Sequence, residues 1–311
     1  MQPSQHQPLP VFLQRGGAIL LVLTLILSGC GLFQQGPPQT TGNSVPAFTH
    51  IFTIILENKA YENVIGNKHA PYFNSLVKTY ALATKYYAIS HPSLPNYIAL
   101  TGGSTFGISN DCTACFQQAS NLADQIEASG HTWKAYMESM PAPCYVGDSP
   151  NGLYRQKHNP FLYYDDIRTN SSRCSSHDVP FTQLATDLAN KHLPDYVWIS
   201  PNMCHDMHIC TLAVGDTWLS QVVPTILNST AFTQGGVLFI TFDEGKTNDG
   251  WCNDAAGGQI ATLVISPLVK KGWQSTTPET HYSLLRTVED AWKLPPLGEA
   301  AKSTAMTEFF S

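Results

Sequence analysis

Charge is scarce in this 311-residue chain: only 13% of its residues are Asp, Glu, Lys or Arg, and acids outnumber bases 23 to 17, for a net charge of −6. No Lys/Arg-rich stripe occurs, so nucleic acid is not expected as a partner. No apolar run reaches the ~20 residues that a membrane-spanning helix needs. No internal repeat is visible, which argues against a solenoid or propeller. Cys112-x-x-Cys115 lacks a second CxxC or a His pair at zinc-finger spacing, so a structural zinc site is not expected. What remains is a chain with 43% apolar residues, enough to bury one large core or two modest ones.

The N-terminus is a separate matter. Arg15 precedes the apolar stretch Ala18 to Leu27, which runs at once into Ser28-Gly29-Cys30. This resembles a bacterial lipoprotein signal with a Leu27-Ser28-Gly29-Cys30 lipobox, and the resemblance implies cleavage before Cys30 and a lipid on its sulfur. Residues 31–47, rich in Gln, Gly, Pro, Thr and Ser, read as a flexible tether. The expected organisation is therefore a signal over 1–29, a tether over 30–47 and a catalytic domain over 48–311, held at the extracytoplasmic face of the cell envelope. In such a compartment cysteines pair. Cys112 with Cys115, Cys204 with Cys210 and Cys144 with Cys174 are candidate bridges, although spacing does not fix connectivity. Cys252 is left over.

From His50 onward, strand-like and helix-like segments alternate, the pattern of an α/β fold: a three-layer sandwich with a largely parallel central sheet. The expected strands are 50–56, 132–137, 196–200, 237–242 and 262–265, and the expected helices 72–80, 122–129, 181–192, 218–227 and 282–292. Residues 141–178 carry Pro, Asn, Ser and Tyr without periodicity and read as an excursion over one end of the sheet.

Two strongly apolar runs end in acids: His50-Ile-Phe-Thr-Ile-Ile-Leu-Glu57 and Val237-Leu-Phe-Ile-Thr-Phe-Asp243-Glu244. In an open α/β sheet such acids reach the carboxyl edge, where ligands bind. Their hard oxygens suit one divalent ion, Mg, Ca, Mn or Zn. Ser93, in His91-Pro-Ser-Leu-Pro-Asn96, stands near an expected helix start. It is either an ordinary N-cap or a nucleophile that a metal would activate. A third run, Tyr196-Val-Trp-Ile-Ser200, leads into Asn202, His205, Asp206 and His208. His281 opens the last amphipathic helix. His91, His205, His208 and His281 are the candidates for proton transfer.

Together these segments resemble the phosphoesterase family of bacterial acid phosphatases and phospholipases C, a branch of the alkaline phosphatase superfamily. The motifs that carry the resemblance are Glu57-Asn58-Lys59, His91 to Asn96, Ser200 to His208, Phe242 to Gly245 and His281 to Arg286. It implies that Glu57, Asp243, Glu244 and the Ser93 hydroxyl hold a divalent metal, that Ser93 becomes phosphorylated, and that Asn58 and Asn96 contact phosphate. The second-metal positions of the related phosphodiesterases carry Asn202 and Asp206 here, so one metal is expected. Phosphomonoesters are the expected substrates. Phospholipid headgroups are the alternative, for which Tyr145, Tyr154, Tyr163 and Tyr164 would form a choline cage. A lipoprotein that only binds phosphorylated ligands is the non-catalytic alternative.

Overall fold

The computed structural model describes residues 44–250 and 255–310. The signal, the lipobox and most of the tether expected from the sequence lie outside these residues, as does Cys252. In chain order the elements are β1 (Ile51–Leu56), α1 (Tyr61–Val64), α2 (Pro71–Thr79), β2 (Ala81–Tyr87), α3 (Ser93–Gly102), α4 (Leu122–Ala128), β3 (Trp133–Met137), α5 (Asp165–Arg168), α6 (Ser171–His177), β4 (Asp178–Pro180), α7 (Gln183–Ala189), β5 (Tyr196–Ser200), α8 (Leu212–Leu227), α9 (Thr230–Thr233), β6 (Val237–Phe242), β7 (Gln259–Ile265), β8 (Gln274–Ser275), β9 (Glu279–Thr280) and α10 (His281–Trp292).

The strands form one sheet in the order β4-β3-β5-β1-β6-β7-β2-β8, with β9 beside β2. All pairings are parallel except those of β7, which runs antiparallel to both β6 and β2. The central strands β1, β5 and β6 are buried along their whole length, as expected for strands covered on both faces. Register shows which helix covers which face. Thr53 pairs with Trp198 and Phe239, whereas Leu56 pairs with Phe242, so Trp198 and Phe242 point to opposite sides. Tyr97 of α3 and Trp292 of α10 pack on the Trp198 and Tyr196 side, and Phe73 of α2 packs on Phe242. Helices thus cover both faces, as the alternating pattern predicts.

Several elements depart from the sequence expectation. β2 was not expected: Ala81-Leu-Ala-Thr-Lys-Tyr-Tyr follows α2 without a turn residue and mixes weak strand formers with a lysine. β4, β8 and β9 are too short to show a period. α8 starts at Leu212 rather than at Trp218, because its first turns pack against the 201–211 loop. Gly215 makes that approach possible: a Cβ there would lie 2.8 Å from the His205 carbonyl oxygen and closer still to Met207 Cγ.

The excursion over 141–178 is well anchored. Cys144 is bonded to Cys174, Cys112 to Cys115 and Cys204 to Cys210, so the six described cysteines are all paired. Tyr154, Tyr163 and Tyr164 are buried, with Tyr164 hydrogen-bonded to Thr101 at 2.9 Å. They are core residues, and the expected aromatic cage does not form. Asp178 is fully buried and accepts from Asn159 Nδ2 at 2.9 and 2.8 Å.

Burial also makes stability depend on pH. It pushes the Asp178 carboxyl up to about 7 and the Glu289 carboxyl up to about 8. Burial opposes the charge on His158, but Glu57 and Asp206 raise it to about 9. All three folded-state values lie above those of the unfolded chain. The native state therefore holds protons that the unfolded state has released, and stability falls as pH rises. Asp178 acts from pH 3.8 to about 7, Glu289 from 4.5 to about 8 and His158 from 6.5 to about 9, so all three overlap between 6.5 and about 7 and the fall continues to about 9. Unfolding in urea is expected to show a loss of a few kcal/mol between pH 6.5 and about 9, measured with chelator present. A flat or rising profile there would contradict the burial of these groups.

Candidate active site

The parallel register brings the ends of β1 and β6 side by side, since Leu56 pairs with Phe242 and Asp243 N–H donates to Leu56 O at 2.8 Å. Glu57 and Asp243 follow those strands and are 0% exposed. Asn58 adopts a left-handed backbone (φ 47°), which Asn tolerates better than most residues. This turns the chain so that Asn58 N–H donates to Asp243 Oδ1 at 2.9 Å and its side-chain amide donates to Glu244. The Asp206 carbonyl accepts from Glu57 N–H at 2.8 Å, and Lys59 Nζ donates to the Met207 carbonyl at 2.6 Å. The loop after β5 is thereby tied to the loop after β1.

α3 delivers the serine. The helix is buried on every side, in keeping with its apolar sequence. Ser93 is its first residue and not its N-cap, a position held by Pro92. The hydroxyl is thus free of capping and donates to Glu57 Oε2 at 3.1 Å. Asp111 caps the helix instead, accepting from Leu94 N–H at 3.0 Å. Its other oxygen accepts from Lys157 Nζ at 2.7 Å, and that ammonium is also 3.4 Å from Ser93 Oγ.

Glu57 is the hub. Oε1 accepts from Tyr97 OH at 2.5 Å and faces His158 Nε2 at 3.3 Å, and Oε2 faces His208 Nδ1 at 3.4 Å. His158 Nδ1 lies 3.5 Å from Asp206 Oδ2, so this buried imidazole bridges two carboxylates. Burial works against a charge on Glu57, yet His158, His208 and Lys157 hold its carboxyl well below the usual range. Asp243 behaves in the opposite way: burial and the neighbouring Glu57 and Glu244 charges push it well above its ordinary value. His208 Nδ1 also meets Asn58 Oδ1 at 2.5 Å. His91 holds Glu244 through Nδ1 and reaches the Thr247 carbonyl through Nε2 at 3.0 Å.

Five residues expected at the site have other partners. Asn96 clamps the turn before α3, accepting from Ile89 N–H at 2.9 Å and Ser90 N–H at 3.1 Å and donating to Ser90 O at 2.8 Å. Its amide is spent on backbone. Asn202 orders its own loop, accepting from the Cys204 and His205 amides at 3.0 Å. His205 pairs with Glu138 at 2.9 Å and stacks on Trp218. His281 is fully buried, and burial pushes it down to about 4. The Asp243 carbonyl, 2.6 Å from Nε2, can only accept, so Nε2 carries the proton and Nδ1 accepts from Tyr86 OH at 3.2 Å. His281 therefore supports the Asp243 backbone as a neutral bridge. Asp206, the fifth, is buried against His158.

Conversely, His158, Lys157, Asp111 and Tyr97 escaped the sequence reading. The first two lie in the aperiodic excursion, and Tyr97 reads as an ordinary core aromatic. The polar run Gln156-Lys157-His158-Asn159 before Pro160 was the available signal.

The donor chemistry fits a divalent cation. Glu57, Asp243, Glu244 and Ser93 offer hard oxygens in a buried cluster, and Asp243 Oδ2 has no hydrogen-bond partner. Among the described residues no three acidic, imidazole or thiol groups already converge at ligand geometry, and Glu244 is held by His91 and Asn58.

The chain is 32% identical over 289 residues to an acid phosphatase of Aspergillus fumigatus, covering 89% of this chain and 62% of that protein. It is 31% identical over 294 residues to a phosphatidylinositol-3-phosphatase of Mycobacterium tuberculosis, covering 94% of this chain and 92% of that one. The chain thus spans about three fifths of the fungal enzyme's length. Among solved structures, a phosphonate monoester hydrolase of Agrobacterium radiobacter superposes with a TM-score of 0.57 at 12% identity, covering 84% of this chain and 77% of that one. An alkaline phosphatase superfamily protein of Vibrio parahaemolyticus gives 0.55 at 12% identity, with 86% and 74% covered. These two structures establish the shared fold. The sequence model of the phosphoesterase family matches residues 67–295, and the chain belongs to that family.

Proposed function

We propose that this chain is a phosphoric ester hydrolase that acts on phosphomonoesters through Ser93. The observation that carries the reading is the Ser93 hydroxyl itself, 3.1 Å from a buried Glu57 carboxylate at the start of a buried helix, with an ammonium 3.4 Å away. Its hydrogen bond points the proton at Glu57, which leaves the oxygen lone pairs for phosphorus. As the Oγ–P bond forms and the ester P–O bond breaks, Glu57 orients the serine proton, which leaves along that hydrogen bond toward His208, 3.4 Å from the same Oε2. His208, partly exposed above Glu57, is placed to protonate the leaving oxygen. Water then cleaves the phosphoserine and regenerates Ser93. A divalent cation held by Glu57, Asp243, Glu244 and the Ser93 hydroxyl would supply neutralisation of charge on the transferring phosphoryl group.

The name of the mycobacterial relative extends the substrate class to a monoester on a lipid headgroup. A lipid on Cys30 would hold the site at an extracytoplasmic membrane surface, and the three disulfides support an oxidising compartment. A choline-selective phospholipase is less well supported, because the tyrosines that would build its cage are mostly buried in the core.

The test is hydrolysis of p-nitrophenyl phosphate and p-nitrophenylphosphorylcholine by the purified protein, with and without EDTA. Turnover of the first, lost on chelation and restored by a divalent ion, is the expected outcome. Preference for the choline ester would move the assignment to phospholipase C. Inertness toward both esters in a folded, metal-supplied protein would favour a binding role.

A further inference from the structure

We propose that Lys157 is the cationic side chain that binds the substrate's terminal phosphate, that Asp111 positions it, and that this pair makes the site select dianionic monoesters over monoanionic diesters. The inference rests on the hydrolase reading above and narrows its substrate class.

Two of the first amide positions of the helix are closed to an anion. Leu94 N–H is taken by Asp111, and Pro95 has no N–H to offer. His158 is buried at 4% side-chain exposure, committed to Glu57 on one side and Asp206 on the other. Lys157 differs on each point. It contacts Ser93 Oγ, its side chain is 18% exposed, and it sits with His91 and His208 among the partly exposed groups that rim the buried Ser93 and Glu57. A phosphoryl group arriving at Ser93 therefore meets the Lys157 ammonium beside the attacking oxygen.

The ammonium is also held in place. Asp111 Oδ2 takes it at 2.7 Å, while Oδ1 is fixed by the Leu94 amide. The loop that carries Asp111 is closed by the Cys112–Cys115 disulfide. Two further bonds, Tyr163 OH to the Cys112 carbonyl and Gln156 Nε2 to the Thr113 carbonyl, both at 2.9 Å, stitch that loop to the segment bearing Lys157. A point charge fixed beside the nucleophile attracts a phosphoryl group in proportion to the charge on its free oxygens. A monoester dianion carries about −2 above its second pKa of about 6, and a diester carries one charge fewer.

The experiment compares the full protein with Lys157→Met, Lys157→Arg and Asp111→Asn. It measures kcat/KM for p-nitrophenyl phosphate and bis(p-nitrophenyl) phosphate, and binding of inorganic phosphate by calorimetry. Lys157→Met is expected to lower kcat/KM for the monoester about 30- to 100-fold and for the diester less than about 5-fold, with phosphate binding weakened at least about 10-fold. Lys157→Arg should restore most of the phosphate affinity. Asp111→Asn keeps an oxygen for Leu94 and should raise KM for the monoester more than it lowers kcat. Equal losses on both esters, or unchanged phosphate affinity in Lys157→Met, would overturn the inference. If the parent protein cleaves neither ester, the hydrolase reading fails, and phosphate calorimetry still decides the role of Lys157. If Lys157→Met does not fold, the KM effect of Asp111→Asn decides it.

Discussion

Replacing Ser93 with alanine is expected to lower hydrolysis of p-nitrophenyl phosphate by at least about 10³-fold while the protein stays folded. The substitution removes one oxygen and one hydrogen bond. Glu57 keeps Tyr97, His158 and His208 as partners, so the buried carboxylate is not stranded. The helix also loses nothing, because Asp111 and not Ser93 satisfies the Leu94 amide. Thermal unfolding within about 3 °C of the parent, together with loss of phosphoenzyme trapped by acid quench, would separate a missing nucleophile from a damaged fold. Substantial residual turnover would remove Ser93 from the reaction.

Glu57→Gln is expected to be both inactive and unstable, and the two effects have one cause. The carboxylate is 0% exposed and has donors or cationic groups on both oxygens: Tyr97 and His158 at Oε1, Ser93 and His208 at Oε2. Glutamine keeps the shape but turns an NH2 group toward one of those sets and leaves His158 with Asp206 as its remaining carboxylate. Breaking a buried ionic set by removing one partner costs about 3–5 kcal/mol. For a domain of this size that is a drop in Tm of roughly 10 °C. Activity should fall at least about 10³-fold, because the serine loses its oriented acceptor. A Glu57→Gln protein that melts with the parent would contradict the charge network, and one that remains active would contradict the assigned chemistry.

The sequence carried the central strands clearly, because β1, β5 and β6 are covered on both faces and read as unbroken apolar runs. It also carried the acids at their ends, since a charged residue directly after such a run has to emerge at the sheet edge. The reversal of β7 was not legible, because strand direction depends on the connection and not on composition. β2 was missed because part of its burial comes from β7, β8 and β9, which are distant in the chain.

The histidines divide in the same way. Composition and motif spacing named His91, His205, His208 and His281 as chemically suitable. They could not tell that His205 would face Glu138 or that His281 would be sealed behind Asp243. His158 and Lys157 were hidden because nothing periodic surrounds them, and they meet Glu57 and Ser93 only when the excursion folds over the carboxyl edge of the sheet.

The sequence by itself determined the α/β layering and the acids and serine placed at strand and helix ends, since hydrophobic periodicity is a local property. Only the tertiary structure decided which cations surround Ser93 and Glu57. Those contacts bring in Lys157, 64 residues beyond the serine, and the still more distant His158 and His208, through disulfide-closed, aperiodic loops whose course is set by burial and hydrogen bonding in the folded whole.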